Sequence, residues 1–279
     1  MSNVSLMAIY HSESLAKCSA MCGGLCACFG FHPHQKKCRV HQSCVPSDMT
    51  IDETGWRNFY PEESLKNHEG CMGILQSNPG VKGRDGVYSI DVNGQMKDVY
   101  CDMTADEGGW TVIQKRVDGS TDFYKTWVEY KNGFGDPTRN YWIGNDAIHN
   151  LTRTHQELRV DLLSFDNETA FYRYSIFQVE NESSKYQLNV SGPSDKSGDS
   201  LEWHNGMKFT TWDQDNDIFA QGNCGVAHHG GWWYNACSHA NLNGRYENSA
   251  LDGPDHMYWM RWKNYLSLKA VEMKIRPSS

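Results

Sequence analysis

The sequence predicts an α+β protein in two parts, a small disulfide-rich unit followed by a larger one of strands and loops. Three observations predict it. Six of the ten cysteines crowd between Cys18 and Cys44, while Cys71, Cys101, Cys224 and Cys237 are spread over the remainder. The polar stretch Tyr60-Pro61-Glu62-Glu63-Ser64 separates the two regimes, which sets the boundaries at residues 1–62 and 68–279. Beyond it, short runs of Val, Ile, Tyr and Trp alternate with turns rich in Gly, Asn and Asp, and the long loops are where function is expected.

The first part carries one helical signal: Leu15, Cys18, Met21 and Cys22 share a face of a helix starting near Ser12 or Ser14. Leu6 to Tyr10 reads as a strand before it. Cys28 to Phe31 and Cys38 to Val40 read as strands around a polar turn, and Trp56 to Tyr60 closes the sheet. So small a unit buries little core, and disulfides supply the missing stability. Zinc is the rival use of Cys22, Cys26, Cys28, His32, His34, Cys38, His41 and Cys44, but their spacing fits no zinc framework.

In the second part, Gly86 to Ile90 reads as a strand, Asp91-Val92-Asn93-Gly94 as a hairpin turn and Val99 to Met103 as the return strand. Gly108 to Arg116 is a further strand. Asn145 to His155 reads as a short helix ending near Thr154, and the rest as short strands and loops.

Composition excludes several functions. The formal charge of -8 leaves no basic face for nucleic acid. No stretch approaches the ~20 apolar residues of a membrane span. The even cysteine count suits an oxidising compartment. The triplets at Asn3, Asn150, Asn167, Asn181 and Asn189 are acceptors for N-linked sugar, which agrees with secretion. Met1 to Val4 contains no basic segment followed by an apolar one, so a signal peptide is expected to lie outside this sequence. No Gly-x-Ser-x-Gly, His-Glu-x-x-His or phosphate-binding glycine loop is present, and all cysteines are expected to be paired, so no enzyme is expected.

The order of helical Cys18 and Cys22, then Cys28-Phe29-Gly30-Phe31, then Cys38-Arg39-Val40 resembles the PAN/apple module over about residues 4–60. The resemblance implies bridges Cys18–Cys38 and Cys22–Cys28, and leaves Cys26 and Cys44 as an extra pair. The residues alone leave the pairing open.

The larger part resembles the fibrinogen C-terminal domain, the family that includes ficolins, tachylectins and the ends of tenascins and angiopoietins. The resemblance rests on Cys71, Gly86-Val-Tyr-Ser-Ile90, Val99-Tyr-Cys-Asp-Met103, Gly108 to Arg116, Trp127 to Gly135, Asn223-Cys224, Gly231-Trp-Trp-Tyr234, Cys237, Asn241 to Tyr246 and Glu272 to Pro277. It implies bridges Cys71–Cys101 and Cys224–Cys237.

The loop from Asp213 to Gly222 concentrates carboxylates, the hard oxygen donors that suit Ca²⁺. It is not an EF-hand, since Ile218 and Cys224 stand where that loop needs Gly and Glu. Read from the residues alone, three aspartates in a loop are equally a solvated turn. The resemblance implies a Ca²⁺ site made by the side chains of Asp215 and Asp217 and the carbonyls of Phe219 and Gln221. The stretch from Asp217 to Cys224 is a residue longer than in several relatives.

Between Cys224 and Cys237, His228, His229 and aromatics lie beside this loop, as a sugar pocket requires. The simpler reading of Trp232 and Trp233 is core, and the His-rich loop could instead hold a transition metal. In the family's lectins the acetyl pocket adjoins a cis peptide before the cysteine. Carried over, it is Ala236–Cys237, which would turn backbone N–H groups toward an acetyl oxygen. Ser238 and then His239 follow, where those lectins commonly have His at once. His228 and the turn Asp255-His256-Met257-Tyr258 supply the remaining wall, with Pro254 and Met257 departing from the usual aromatics.

The resulting expectation is a secreted, calcium-dependent lectin for N-acetylated sugars or sialic acid. The alternative is a protein-interaction module using the same face for a receptor or matrix ligand. Weak single sites would favour a homo-oligomer.

Overall fold

The computed structural model describes residues 6–11, 28–32, 34–41, 57–59 and 68–278. The chain divides into two compact units, Met1–Asn67 and His68–Ser279.

In the first unit, β1 (Leu6–His11), β2 (Cys28–His32), β3 (Lys37–His41) and β4 (Arg57–Phe59) form an antiparallel sheet in the order β1-β3-β2-β4. The four strands read from the sequence are therefore present. Cys38 is buried and disulfide-bonded. The expected helix, and Cys18, Cys22, Cys26 and Cys44, lie outside the described residues, and of Cys28 only the strand backbone is described.

The second unit begins with helix α1 (Cys71–Ser77), tied by the disulfide Cys71–Cys101 to the sheet. Strands β5 (Gly86–Val92) and β6 (Gln95–Asp102) form the hairpin expected at Asn93-Gly94. Both turn residues have positive φ, 55° and 84°, which the twist of a two-residue hairpin requires and Asn-Gly tolerates. β7 (Trp110–Arg116) pairs with β6. Helix α2 (Trp127–Asn132) starts at a capping box, with Thr126 Oγ1 accepting from Glu129 N and the Glu129 carboxylate accepting from Thr126 N. β8 (Phe134–Gly135) and β9 (Tyr141–Trp142) follow, and β9 pairs with β7.

Helix α3 (Asn145–Leu151) ends before the expected Thr154. Thr152 leaves the helix at φ -107°, and its hydroxyl donates back to Ile148 O at 2.8 Å, so a β-branched side chain replaces the next helical turn. Where short strands were expected, the structure has β10 (Gln156–Leu163), the 11-residue β11 (Thr169–Val179), β12 (Leu188–Pro193) and β13 (Ala270–Pro277). The main sheet runs β12-β11-β10-β13-β7-β6-β5, antiparallel throughout.

Alternation sends Leu158, Val160 and Leu162 of β10, with Val271, Met273 and Ile275 of β13, into the core. The opposite face is ionic. Lys274, with 4% of its side chain exposed, lies 2.6 Å from Asp161 and 3.2 Å from Glu272, and donates to Asp102. Arg159 joins Asp161 and Asp106, each at 2.7 Å.

The core is completed by α2, α3 and residues 200–268, a stretch with little regular structure beyond α4 (Cys224–Ala227) and α5 (Met260–Lys263). Trp232 and Trp233 are fully buried there, as the simpler reading held. Trp233 packs edge-on against Phe209 at 5.2 Å.

A candidate recognition site on the loops

The second disulfide, Cys224–Cys237, forms as expected, and the peptide Ala236–Cys237 is cis. Ala236 is exposed and Cys237 half-buried. The next residues are held from behind by a histidine the sequence reading did not single out. His204 is fully buried, and its Nδ1 donates to Trp233 O at 2.7 Å. Its Nε2 accepts from the backbone N–H groups of His239 and Ala240, at 3.2 and 3.1 Å. Those bonds fix one neutral tautomer, and burial pushes the imidazole pKa down to about 3.

In front of this support, His239 stacks on Trp203 with centroids 4.5 Å apart. Trp203 is 40% exposed. The exposed Arg261 faces His239, and after burial is the second cause that lowers its pKa. Trp203, Ala236, His239 and Arg261 thus make an open shelf: flat rings, a cis peptide and a cation. Such a surface can pack on the apolar face of a sugar ring while polar groups orient it.

The remaining expected wall is divided. His228 is buried and donates from Nδ1 to Pro254 O at 2.6 Å, with Ser238 Oγ 3.4 Å from the same nitrogen. Burial lowers its pKa. Ser238 Oγ is hydrogen-bonded to the Tyr258 hydroxyl, and both side chains are buried, so they back the site. Met257 is fully buried among core residues, which removes it from the expected pocket wall. Its backbone is paired on both sides, Met257 N donating to Arg245 O and Met257 O accepting from Leu268 N, and the apolar side chain is buried rather than left in water. Asp255 and His256 belong to an ionic cluster with Arg245 and Glu247. Arg245 lies 2.7 Å from Asp255 and 3.0 Å from Glu247, and His256 Nε2 is 3.4 Å from both carboxylates. His229 leaves in another direction and stacks on Tyr124 at 4.2 Å, with Tyr124 stacked in turn on Trp212 at 6.0 Å.

One buried amide joins these loops. Asn241 Nδ2 donates to His228 O at 2.8 Å, His256 O at 3.0 Å and Pro254 O at 3.3 Å, while its Oδ1 accepts from Tyr234 Oη at 3.0 Å. Neither Asn241 nor Trp203 and His204 could be found by local pattern. They act across tens of residues, and only the resemblance marked the Asn241 segment at all.

The acidic loop connects to this shelf through the second disulfide. Asp217 Oδ1 accepts from Phe219 N at 2.9 Å and Oδ2 from Cys224 N at 2.8 Å. Ile218 N donates to Asn235 O, and Asn235 N to Cys237 O. Burial raises the Asp217 pKa, and the neighbouring Asp215 raises it further. Asp215 and Asp217 set two carboxylates side by side, with Asp217 N donating to Asp215 Oδ1 at 3.3 Å, and carboxylate oxygens are the donor type that suits a hard cation. Phe219 O accepts from Gly222 N at 3.3 Å, which leaves one lone pair, and Gln221 is exposed. Among the described residues no three His, Cys, Asp or Glu side chains converge on one point, so a metal here would depend on backbone carbonyls.

Residues 74–278 match the family of fibrinogen beta and gamma chains, C-terminal globular domain. The chain belongs to that family. The fibrinogen-like domain is 44% identical to fibrinogen C domain-containing protein 1-A of Xenopus laevis over 223 residues, which cover 71% of this chain and 48% of that protein. Tenascin-R of Rattus norvegicus is 43% identical over 234 residues, 82% of this chain and 16% of that protein. The chain thus spans about half or less of these relatives. Among solved structures, the fibrinogen-like globe domain of human ANGPTL6 superposes with a TM-score of 0.72 at 38% identity, covering 76% of this chain and 96% of that one. Lamprey fibrin D-dimer, complexed with the peptide Gly-His-Arg-Pro-amide, gives 0.70 at 31% identity over 76% of this chain and 74% of that one.

Proposed function

We propose that the fibrinogen-like domain is a secreted, calcium-dependent lectin-type module that binds N-acetylated or sialylated glycans. The observation that carries this reading is the Trp203–His239 shelf beside the cis peptide Ala236–Cys237. Trp203 offers an apolar face to a pyranose, the backbone around Cys237 offers N–H groups to an acetyl oxygen, and Arg261 favours a carboxylate-bearing sugar. Asp215 and Asp217, with the carbonyls of Phe219 and Gln221, would hold Ca²⁺. When bound, Ca²⁺ supplies a fixed positive charge that braces the acidic loop, and the Cys224–Cys237 disulfide carries that rigidity to the shelf. The site is read as one for recognition rather than catalysis. The first unit, a four-stranded sheet with Cys38 in a disulfide, is read as a PAN/apple-like second binding module. No helix of the described residues is long and apolar enough to cross a membrane. Oligomerisation would raise avidity.

The test is calorimetric titration of the glycosylated protein with N-acetylglucosamine, N-acetylgalactosamine and sialic acid, in Ca²⁺ and in EDTA. Saturable binding lost in EDTA and in Asp217→Asn supports the proposal. Binding untouched by both removes calcium from it, and absence of binding to every sugar by a folded protein overturns it. A second reading, a protein-interaction site on the same face, is favoured by the peptide held in the lamprey fibrin structure. Competition between peptide and sugar for the shelf would separate the two.

A further inference from the structure

The sequence carries five acceptor triplets for N-linked sugar, and the structure separates them. Asn3 lies outside the described residues. Asn150 is part of α3, where its Nδ2 donates to Asp146 O at 2.8 Å and its Oδ1 is buried without a partner. A sugar on that nitrogen would break the bond within a helix. Asn181 caps a turn, accepting from Ser184 N and Ser183 Oγ. Asn189 is exposed on the edge strand β12.

Asn167 is placed differently. It sits at the tip of the β10–β11 hairpin, exposed, with φ 63°. Asn167 N donates to Ser164 O at 3.1 Å and Ser164 N to Glu168 O at 3.0 Å, so a tight turn is closed by a left-handed residue that Asn tolerates. Asn167 Oδ1 accepts from Lys269 Nζ at 2.9 Å, while its Nδ2 makes no hydrogen bond among the described residues. The amide is oriented and its nitrogen is free.

A groove begins at the same turn. It has a volume of about 430 Å³, on the scale of a small-ligand site, and lies on the outer face of the main sheet. Its lining includes Thr169, the hydroxyl residue of the Asn167 triplet, together with Leu163, Phe171, Val117 and Arg159. Leu163 pairs with Thr169, and Phe171 follows two residues along β11 on the same side. Phe171 is 53% exposed and Val117 39% exposed. The Arg159 guanidinium sits over the Phe171 ring, 4.1 Å from its centroid. The groove is an exposed apolar strip with a charged rim, running from an attachment point for sugar.

We infer that Asn167 carries an N-linked glycan whose first sugars lie in this groove, against Phe171. The inference rests on the secretory reading above. The donor is a lipid-linked pyrophosphate oligosaccharide. Asn167 Nδ2 bonds to the anomeric carbon of the terminal N-acetylglucosamine as that carbon's bond to phosphate oxygen breaks. The lipid pyrophosphate leaves, and one amide proton passes to a base and then to water. No oxidant or reductant takes part. The sugar's C–H face covers Phe171, and its hydroxyls meet Arg159 and the ion pairs of the sheet. The glycan would thereby shield apolar surface that a soluble protein rarely leaves open.

The experiment expresses the full chain in secreting eukaryotic cells. Site occupancy is read by peptide mass spectrometry, and side-chain exposure by hydroxyl-radical footprinting before and after enzymatic deglycosylation. The expected result is Asn167 occupied in most chains and Asn150 in few, with labelling of Phe171 and Leu163 rising several-fold when the glycan is removed. Phe171→Ser should keep the occupancy and lose most of that rise at Leu163. A secreted chain glycosylated at Asn181 or Asn189 but not at Asn167 overturns the site. Occupancy at Asn167 with no change in Phe171 labelling overturns the groove. A chain without glycan at any triplet overturns the secretory reading as well, and so separates the two failures.

Discussion

Replacing Asn241 by alanine should cost more than any change on the shelf itself. The side chain is fully buried, and it is the hydrogen-bond donor to both His228 O and His256 O. Alanine leaves those two carbonyls without a partner. Pro254 O keeps the His228 ring, and the Tyr234 hydroxyl keeps Gly230 O. Each buried polar group left unpaired costs about 1–3 kcal/mol. Two of them give a loss of roughly 4 kcal/mol, or about 8–16 °C in the melting of a domain of this size. The assay is calorimetry on the full chain, following the transition of the second unit. Asn241→Asp supplies the control. It has the same shape but points a carboxylate oxygen at carbonyl oxygens, so it should do no better than alanine. A loss under about 1 kcal/mol for Asn241→Ala, or near-native stability for Asn241→Asp, would refute the assignment of those bonds as the clamp between the two loops.

Other substitutions probe other contacts. Lys274→Met removes the cation that faces Asp102, while Asp161 keeps Arg159 and Glu272 keeps Lys115, and it should destabilise by about 3–5 kcal/mol in urea titration. The same pair sets an acid limit: burial opposes ionisation of Asp102, yet the bond from Lys274 and the amides of Ala105 and Thr104 win and hold its pKa below the ordinary value. That stabilisation is complete above about pH 5 and lost as pH falls through the folded value, so the wild type should weaken more steeply there than Lys274→Met. A Cβ at Gly231 would lie 2.5 Å from the buried Tyr130 ring, so Gly231→Ala should cost about 1–3 kcal/mol, and an unchanged melting temperature would contradict that packing. Because His204 stays neutral, it should contribute no inflection to ligand binding between about pH 5 and 8. His204→Phe should nevertheless weaken binding by freeing the amides of His239 and Ala240, as titration of the folded variant would show.

The parts of the fold that local chemistry dictates were legible in the sequence. Asn93-Gly94 announced its hairpin, and the aromatic run at Trp232-Trp233 its burial. The end of α3 was not legible, because the choice between another helical turn and β10 depends on strands far away in the chain. The candidate site was legible only in outline. Its acidic loop and cysteines stand close in sequence. Its supports, His204 and Asn241, act through bonds from side chain to backbone across irregular loops, and no periodicity reports such bonds. Met257 shows the converse error, since a residue in the right loop can face the wrong way.

The position of β13 in the sheet carries a consequence for biogenesis. Of the strands in the main sheet it is the last to be synthesised, yet it lies between β10 and β7 and pairs with both. Until residues 270–277 leave the ribosome, β5 to β7 and β10 to β12 are two separate flaps with open edges where β13 will lie. Each flap exposes the apolar face that the finished core needs. A late strand at the centre therefore makes completion of the sheet nearly all-or-none, and quality control would meet a chain stalled before β13 as two sticky fragments of sheet rather than as a shorter native protein.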